Sequence, residues 1–328
     1  MTISSCVKRS GNELLDAFAD ACVRLNKDGY RSAPRGSAVY ELLNHSIVVT
    51  NPRQRIINHK ARKPPYRYLL GELCFYLSGS NMADFIASYS PFWKSISKED
   101  GTVNSGYGHR IFGKSDRVQF INQWDMVKNI LKADPDSRQA IINIHVPADR
   151  VEASRDLPYT LTLQFFIRNL ENTTTPALHM IVNMRSNDLV KGFTIDFFQF
   201  SMLQEILMLE LKRENFPTLQ LGTYFHNAGS FHVYEPDFTL IDEVVKEHET
   251  ATPPSIVMPS MNFDDLDAIP ALLQLEENFR ATGMSPEYDF AEDASYQALT
   301  PYWKTMVDIC FAKKHELLTD WYSTAAIA

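Results

Sequence analysis

Cysteine is scarce in this chain. Its 328 residues hold four (Cys6, Cys22, Cys74, Cys310), far apart and with neither a CxxC pair nor a Cys/His metal spacing. That argues against a disulfide-stapled module and against a structural metal site, and leaves free thiols in a reducing compartment as the expectation. Long apolar runs are missing too. No stretch approaches the roughly 18 residues of a membrane span, and Met1–Gly11 has no apolar leader core. A cytoplasmic protein with no membrane partner is expected. Positive charge is short: 32 Lys and Arg stand against 40 Asp and Glu, a net charge of −8. A phosphate backbone must be met by a basic surface, so nucleic acid is excluded as a partner, whereas a small anion needs only a few arginines in one pocket.

What is present reads as an ordinary globular protein, 45% hydrophobic and 22% charged. Glu13–Leu25 has apolar residues at helical spacing. Ser32–Gly36 is a punctuated loop, and Ile47–Val49 reads as a strand. Tyr66–Leu77 is a long apolar run that predicts a buried helix, and Asp125–Ala133 predicts another. Ala140–Val146, Leu161–Ile167 and His179–Met184 are β-rich, the last two flanking a Thr-rich connection as a hairpin would. Phe197–Leu211 returns to helical spacing, and Tyr224–Tyr234 is an aromatic β-rich stretch. Beyond Glu235 the chain is irregular through Thr250–Ser260. Helices are then predicted over Leu266–Phe279, starting near Asp264, and over Pro301–Tyr322. No linker or repeat divides the chain. The expectation is one α+β domain over 1–328, with a core at about 30–240 and a helical C-terminal elaboration over 241–328.

Several residues invite a chemical reading. Arg185-Ser186 places a guanidinium beside a hydroxyl at a strand end, a pair able to bind phosphate. Arg35 and Arg138 sit in turn contexts, but spacing alone does not make three arginines converge. Glu72 lies inside an apolar helix, where a carboxylate is costly to bury unless paired or neutralised. Burial would raise its pKa and suit it to proton transfer; its alternative place is the solvent edge of the helix. Asp196, just before Phe197, could be a helix N-cap. His232 and Tyr234 could simply alternate along a strand, and Trp93 and Tyr107 could be core aromatics.

These segments, in this order, resemble the thymidylate synthase superfamily and its dCMP hydroxymethylase branch in particular. The matching pieces are Pro34-Arg35-Gly36, Leu70-Gly71-Glu72-Leu73 with Leu77-Ser78-Gly79-Ser80-Asn81, Tyr107-Gly108, Asp136-Ser137-Arg138, Leu163-Gln164-Phe165, Met184-Arg185-Ser186-Asn187-Asp188, and Gly222 to Tyr234. The resemblance implies a mixed sheet packed with helices and a sheet-mediated homodimer. It implies that Arg35, Arg185 and Ser186 hold the phosphate of a pyrimidine nucleoside monophosphate, with Arg138 reaching the partner's site. His232 and Tyr234 would bind the sugar, and Gln164 and Asp188 would lie with the base and sugar. Trp93, Tyr107 and Gly192 would lie near the base and a possible 5,10-methylenetetrahydrofolate, and Glu72 would move protons. Asp196 stands where uracil-reading members carry asparagine. A carboxyl there can accept from the N4 amino group of cytosine and, protonated, donate to N3, which favours CMP or dCMP.

One residue departs from the family. Tyr159, in Pro158-Tyr159-Thr160, stands where the family carries the cysteine that adds to C6 of the base. A thiolate is accessible near neutral pH and strongly nucleophilic, whereas a phenol ordinarily ionises near about 10. Cys74, two residues from Glu72 on a helix, is expected in the core. Three functions remain open on the sequence: a C5 one-carbon transferase working without a cysteine adduct, a cytidylate N-glycosidic-bond hydrolase using Glu72, and a non-catalytic nucleotide-binding partner.

Overall fold

In the computed structural model, which describes residues 11–59, 61–113, 122–150, 154–250 and 256–321, helix α1 (Glu13–Asp28) starts where Asn12 accepts the backbone N–H of Leu15. Strands β1 (Tyr30–Ser32) and β2 (Val39–Val49) pair antiparallel around a tight turn at Pro34–Gly36. The short strand predicted at Ile47–Val49 is the end of that longer β2. There follow α2 (Tyr66–Leu77), α3 (Ala83–Ala87), α4 (Phe92–Ile96), α5 (Tyr107–Ile111) and α6 (Gln123–Ala133). Strand β3 (Ile141–Asn143) is shorter than the β-rich run around it. The predicted hairpin is present as β4 (Thr160–Asn169) and β5 (Pro176–Met184). Next come β6 (Asn187–Asp188), a wide π-helical turn at Leu189–Phe193, α7 (Thr194–Glu214) and β7 (Gln220–Tyr234).

The C-terminal part departs more from expectation. Helix α8 (Phe238–Thr250) was not anticipated. The single helix expected around Leu266–Phe279 is two, α9 (Phe263–Asp267) and α10 (Ile269–Ala281), which part at Ala268 just before Pro270. Proline fits a first helical turn but cannot donate within a continuing one. After α11 (Ala294–Gln297), α12 (Pro301–Cys310) ends well short of the predicted Tyr322, and a 3-10 turn at His315–Trp321 follows. Tyr322, Cys6 and Ala325–Ala328 lie outside the described residues.

The strands form one sheet in the order β1-β2-β7-β5-β4-β3, with β6 beside the end of β7. Pairing is antiparallel except for β5 and β6, which run parallel to β7. A parallel neighbour needs a crossover, and α7 supplies it. This helix is buried on nearly every side, which is why its apolar residues leave little amphipathic contrast. Its Gln204 amide donates to the carbonyls of Leu178 and Gly222, tying helix to sheet.

Strand alternation gives the sheet two unlike faces. Leu163, Phe165, Met180, Val182, Tyr224 and Phe231 point inward to the helices and are buried. The opposite face carries Leu43, Val48, Ile141, Gln164, Ile181 and Phe225, none of them buried. Helices α10 and α12 pack on α2, with Cys74 beside Glu276 and Cys310. Cys22, Cys74 and Cys310 are all buried free thiols, so Cys74 is a core residue as expected.

Candidate active site

Glu72 sits in the middle of α2 and is only 4% exposed. The solvent-edge alternative is therefore wrong. Tyr68, one turn earlier on the same face, donates its hydroxyl to Glu72 Oε1 at 2.8 Å, and the Trp93 indole N–H donates to the Tyr68 oxygen at 2.9 Å. Glu72 Oε2 has no hydrogen-bond partner. Burial first, and the neighbouring Asp196 carboxyl second, push the Glu72 pKa up to about 8. At neutral pH it carries a proton, with Oε1 held by Tyr68 and the Gln199 side chain also against the carboxyl.

Asp196 is set by the segment between β5 and α7. Asp188 Oδ1 accepts the backbone N–H groups of Val190 and Lys191, each at 2.7 Å, which shapes the wide turn. From below, buried Arg62 donates to the Val190 carbonyl at 2.8 Å and to the Thr194 hydroxyl. The helix is not capped by Asp196. Asp196 lies inside the first turn of α7, partly exposed, and its Oδ2 accepts from the Asn187 amide at 2.7 Å. Burial pushes its pKa up to about 7; the Asn187 bond lowers it and the nearby Asp188 carboxylate raises it. Gly192 explains itself here, since a Cβ at that position would stand 2.9 Å from Asn187 Nδ2.

Tyr159 directly precedes β4 and is 43% exposed. Its backbone is held from two sides. The Tyr107 hydroxyl accepts the N–H groups of Tyr159 (3.1 Å) and Thr160 (3.3 Å), and Arg185 donates to the carbonyls of Leu157 and Pro158, both at 3.0 Å. The Arg185 guanidinium also stands 4.7 Å from the centre of the Tyr159 ring, in cation–π range. Ser186 follows it, half-buried. Burial, and then Asp196, push the Tyr107 phenol up.

The end of β7 completes the cleft. His232 lies opposite Asp188 in register, buried, with Nδ1 unpartnered; burial lowers its pKa and Asp188 opposes that. Tyr234 is pushed up by burial, then by Tyr159 and Asp188, while Arg35 pulls it down, so these side chains share one neighbourhood. Arg35 itself is exposed and held at φ 54°, a left-handed conformation unusual for a side-chain-bearing residue.

The fold thus brings together Glu72, Tyr107, Tyr159, Arg185, Asp188, Gly192, Asp196, His232 and Tyr234, with Trp93 reached through Tyr68 and Arg35 at the rim. Two expected residues stand apart. Gln164 projects from the outer face of the sheet, because Leu163 and Phe165 on either side of it point inward, and its amide donates to the Arg138 carbonyl at 3.0 Å. The placement of Gln164 with the base and sugar is corrected accordingly for this chain's own cleft. Arg138 is exposed on the turn before β3, outside the cleft of its own chain. Arg62, Tyr68, Asn187, Tyr224 and His226 were missed by sequence reasoning. Only Tyr68, four residues before a suspect glutamate, carried a usable signal. Among the described residues no cluster of three or more His, Cys, Asp or Glu could hold a metal, and no helix is long and apolar enough to cross a membrane.

The family model for thymidylate synthase matches residues 16–278. A deoxyuridylate hydroxymethyltransferase of Bacillus phage SP01 is 30% identical over 238 residues, covering 70% of this chain and 59% of its own length. The chain therefore spans about three fifths of that relative. A deoxycytidylate 5-hydroxymethyltransferase of Enterobacteria phage T6 is 32% identical over 190 residues, covering 56% of this chain and 73% of its own. Thymidylate synthase 1 of Bacillus subtilis is 26% identical over 200 residues, covering 58% and 67%.

Proposed function

The chain belongs to the thymidylate synthase family, and on that premise we propose that it is a one-carbon transferase acting at C5 of a cytosine nucleoside monophosphate, CMP or dCMP, by a route without a cysteine adduct. The observation that carries the reading is Asp196. It is a partly exposed carboxyl with a pKa of about 7, steadied through one oxygen by Asn187 and set close to the buried acid Glu72. Near neutrality such a group accepts from the cytosine amino group in one state and donates to N3 in the other. The relatives named above act on uracil in one case and cytosine in another, so the choice of base rests on Asp196 rather than on them.

In this reading Arg35, Arg185 and Ser186 hold the phosphate, and His232 and Tyr234 the sugar hydroxyl. Asp188 shapes the turn that presents Asp196. Glu72, protonated at neutral pH, gives and takes the proton exchanged at the base. Tyr68 and Trp93 hold its other oxygen. Tyr107 and Arg185 fix the backbone of Tyr159, which offers a phenol in place of a thiol. Methylenetetrahydrofolate, implied by the family, would supply a one-carbon unit at the oxidation level of formaldehyde. Trp93, which donates to Tyr68, and its exposed neighbour Phe92 would offer it an aromatic surface. A second copy of the chain on the outer sheet face, where Leu43 and Val48 are 62% and 51% exposed, would cover that apolar surface and bring Arg138 to its partner's phosphate. The hydrolase reading finds no support in the relatives named above, whose names are those of transferases and a synthase.

Release of tritium from [5-³H]CMP or [5-³H]dCMP tests the proposal. Release that requires both nucleotide and methylenetetrahydrofolate, and that falls at least a hundredfold in Glu72→Gln, is expected. No release from either nucleotide overturns it.

A further inference from the structure

Asp196 is the end of a hydrogen-bond chain whose direction can be worked out. Its Oδ2 accepts from Asn187 Nδ2 at 2.7 Å, Asn187 Oδ1 lies 3.0 Å from His226 Nε2, and His226 Nδ1 lies 3.2 Å from the Tyr224 hydroxyl. With its amide nitrogen turned to Asp196, Asn187 has only an acceptor left for His226. His226 Nε2 must then carry the proton. The ring is buried and neutral, its pKa lowered by burial to about 3, so Nδ1 is a bare lone pair. The tyrosine hydroxyl must donate to it. The chain runs one way, Tyr224 to His226 to Asn187 to Asp196.

The surroundings keep it so. Tyr224 and His226 are alternate inward residues of β7, on one face and both essentially inaccessible. Phe193 and Phe231 wedge the imidazole edge-on, their ring centres 5.0 and 6.5 Å away. Gly192 leaves the gap in which the Asn187 amide sits. None of these residues reaches the cleft by way of any other polar partner described above.

We propose that Tyr224, His226 and Asn187 are positioning residues that set base specificity, locking Asp196 with a donor at its back so that it selects a 4-amino pyrimidine over a 4-oxo pyrimidine. This rests on the assignment of Asp196 as the base-reading group. A donor at the back of the carboxyl favours its ionised form, whose remaining lone pairs face the ligand. The exocyclic amino group of cytosine brings an N–H to them, whereas O4 of uracil brings another lone pair. If Asn187 could turn over, Asp196 could be served by either end of the amide, and that discrimination would blur.

The test is the affinity of the intact protein for CMP and UMP, and for dCMP and dUMP, by titration calorimetry, in the wild type and in Tyr224→Phe, His226→Gln and His226→Leu. Glutamine can place an amide N–H where Nε2–H stands; leucine fills the same space without a donor. His226→Leu is expected to lower the cytosine-to-uracil affinity ratio about tenfold and Tyr224→Phe about threefold, with His226→Gln close to wild type. Melting curves establish that each variant is folded, and Tyr224→Phe, which keeps its buried ring, serves if His226→Leu does not fold. A ratio unchanged in folded His226→Leu or Tyr224→Phe, or damaged equally by Gln and Leu, overturns the inference. A wild type without any preference for cytosine removes the Asp196 assignment itself, and the inference with it.

Discussion

Replacing Glu72 by glutamine tests the buried acid through stability as well as through activity. In the folded protein its pKa is raised from 4.5 to about 8. For an acid shifted upward, the folded state holds a proton that the unfolded chain has already lost. Its stabilising contribution is complete below the unfolded value and disappears as pH rises through the folded one. Between about pH 5 and about pH 8.5 that single group should remove up to about 4 kcal/mol of stability. Glutamine cannot ionise, so the slope due to Glu72 should vanish. The amide can still accept from Tyr68 in place of Oε1, and its NH₂ takes the place of the Oε2 hydroxyl that the protonated acid carries, with the Gln199 side chain against it. The variant should therefore lie close to the wild type at acid pH and be more stable at alkaline pH, the two curves parting as pH rises from about 5 to about 8.5. Urea unfolding followed by circular dichroism across that range measures it. Parallel curves for wild type and Glu72→Gln would refute the account of a neutral buried carboxyl, and with it the role of Glu72 as a proton carrier near neutrality.

Three further outcomes follow from the same geometry. Tyr159→Cys places a thiol on a segment already pinned by Tyr107 and Arg185; it should form a covalent adduct with a 5-fluorinated cytosine nucleotide, seen by intact-protein mass spectrometry, where the wild type forms none. Gly192→Ala drives a methyl to within 2.9 Å of Asn187 Nδ2; the affinity for CMP or dCMP should fall about tenfold, measured by calorimetry, with the melting temperature little changed. Leu43→Lys combined with Val48→Lys charges the exposed apolar face of the sheet; the mass by light scattering should fall from that of two chains to that of one, and a wild type already of single-chain mass would refute the dimer.

Much of the architecture was legible because it is written in local periodicity. The α1, α2, α6 and α7 helices and the β4–β5 hairpin follow from apolar spacing and turn residues, whereas Glu72 in an apolar helix left a buried acid and a solvent-edge glutamate both open. Helix α8 was legible and was passed over, since Phe238, Ile241, Val244 and Val245 recur at helical spacing, whereas the break at Ala268 and the early end of α12 are settled by capping rather than by hydrophobicity. Gln164 was placed with the base by resemblance, and the alternation of β4 turned it outward.

The sequence by itself determined the family, and it put forward the arginines, the carboxyls and Tyr159 as candidates, because each is a matter of residue type in an ordered motif. It did not determine how the carboxyls are held. Arg62 braces a carbonyl 128 residues away, and Asn187 meets an imidazole 39 residues on. Those meetings depend on strand register, on which face each side chain takes and on the direction of hydrogen bonds. No short-range pattern records them. The tertiary structure alone decided that Asp196 is steadied from behind, that Glu72 is buried with Tyr68 on one oxygen, and that burial raises both carboxyls in the same cleft.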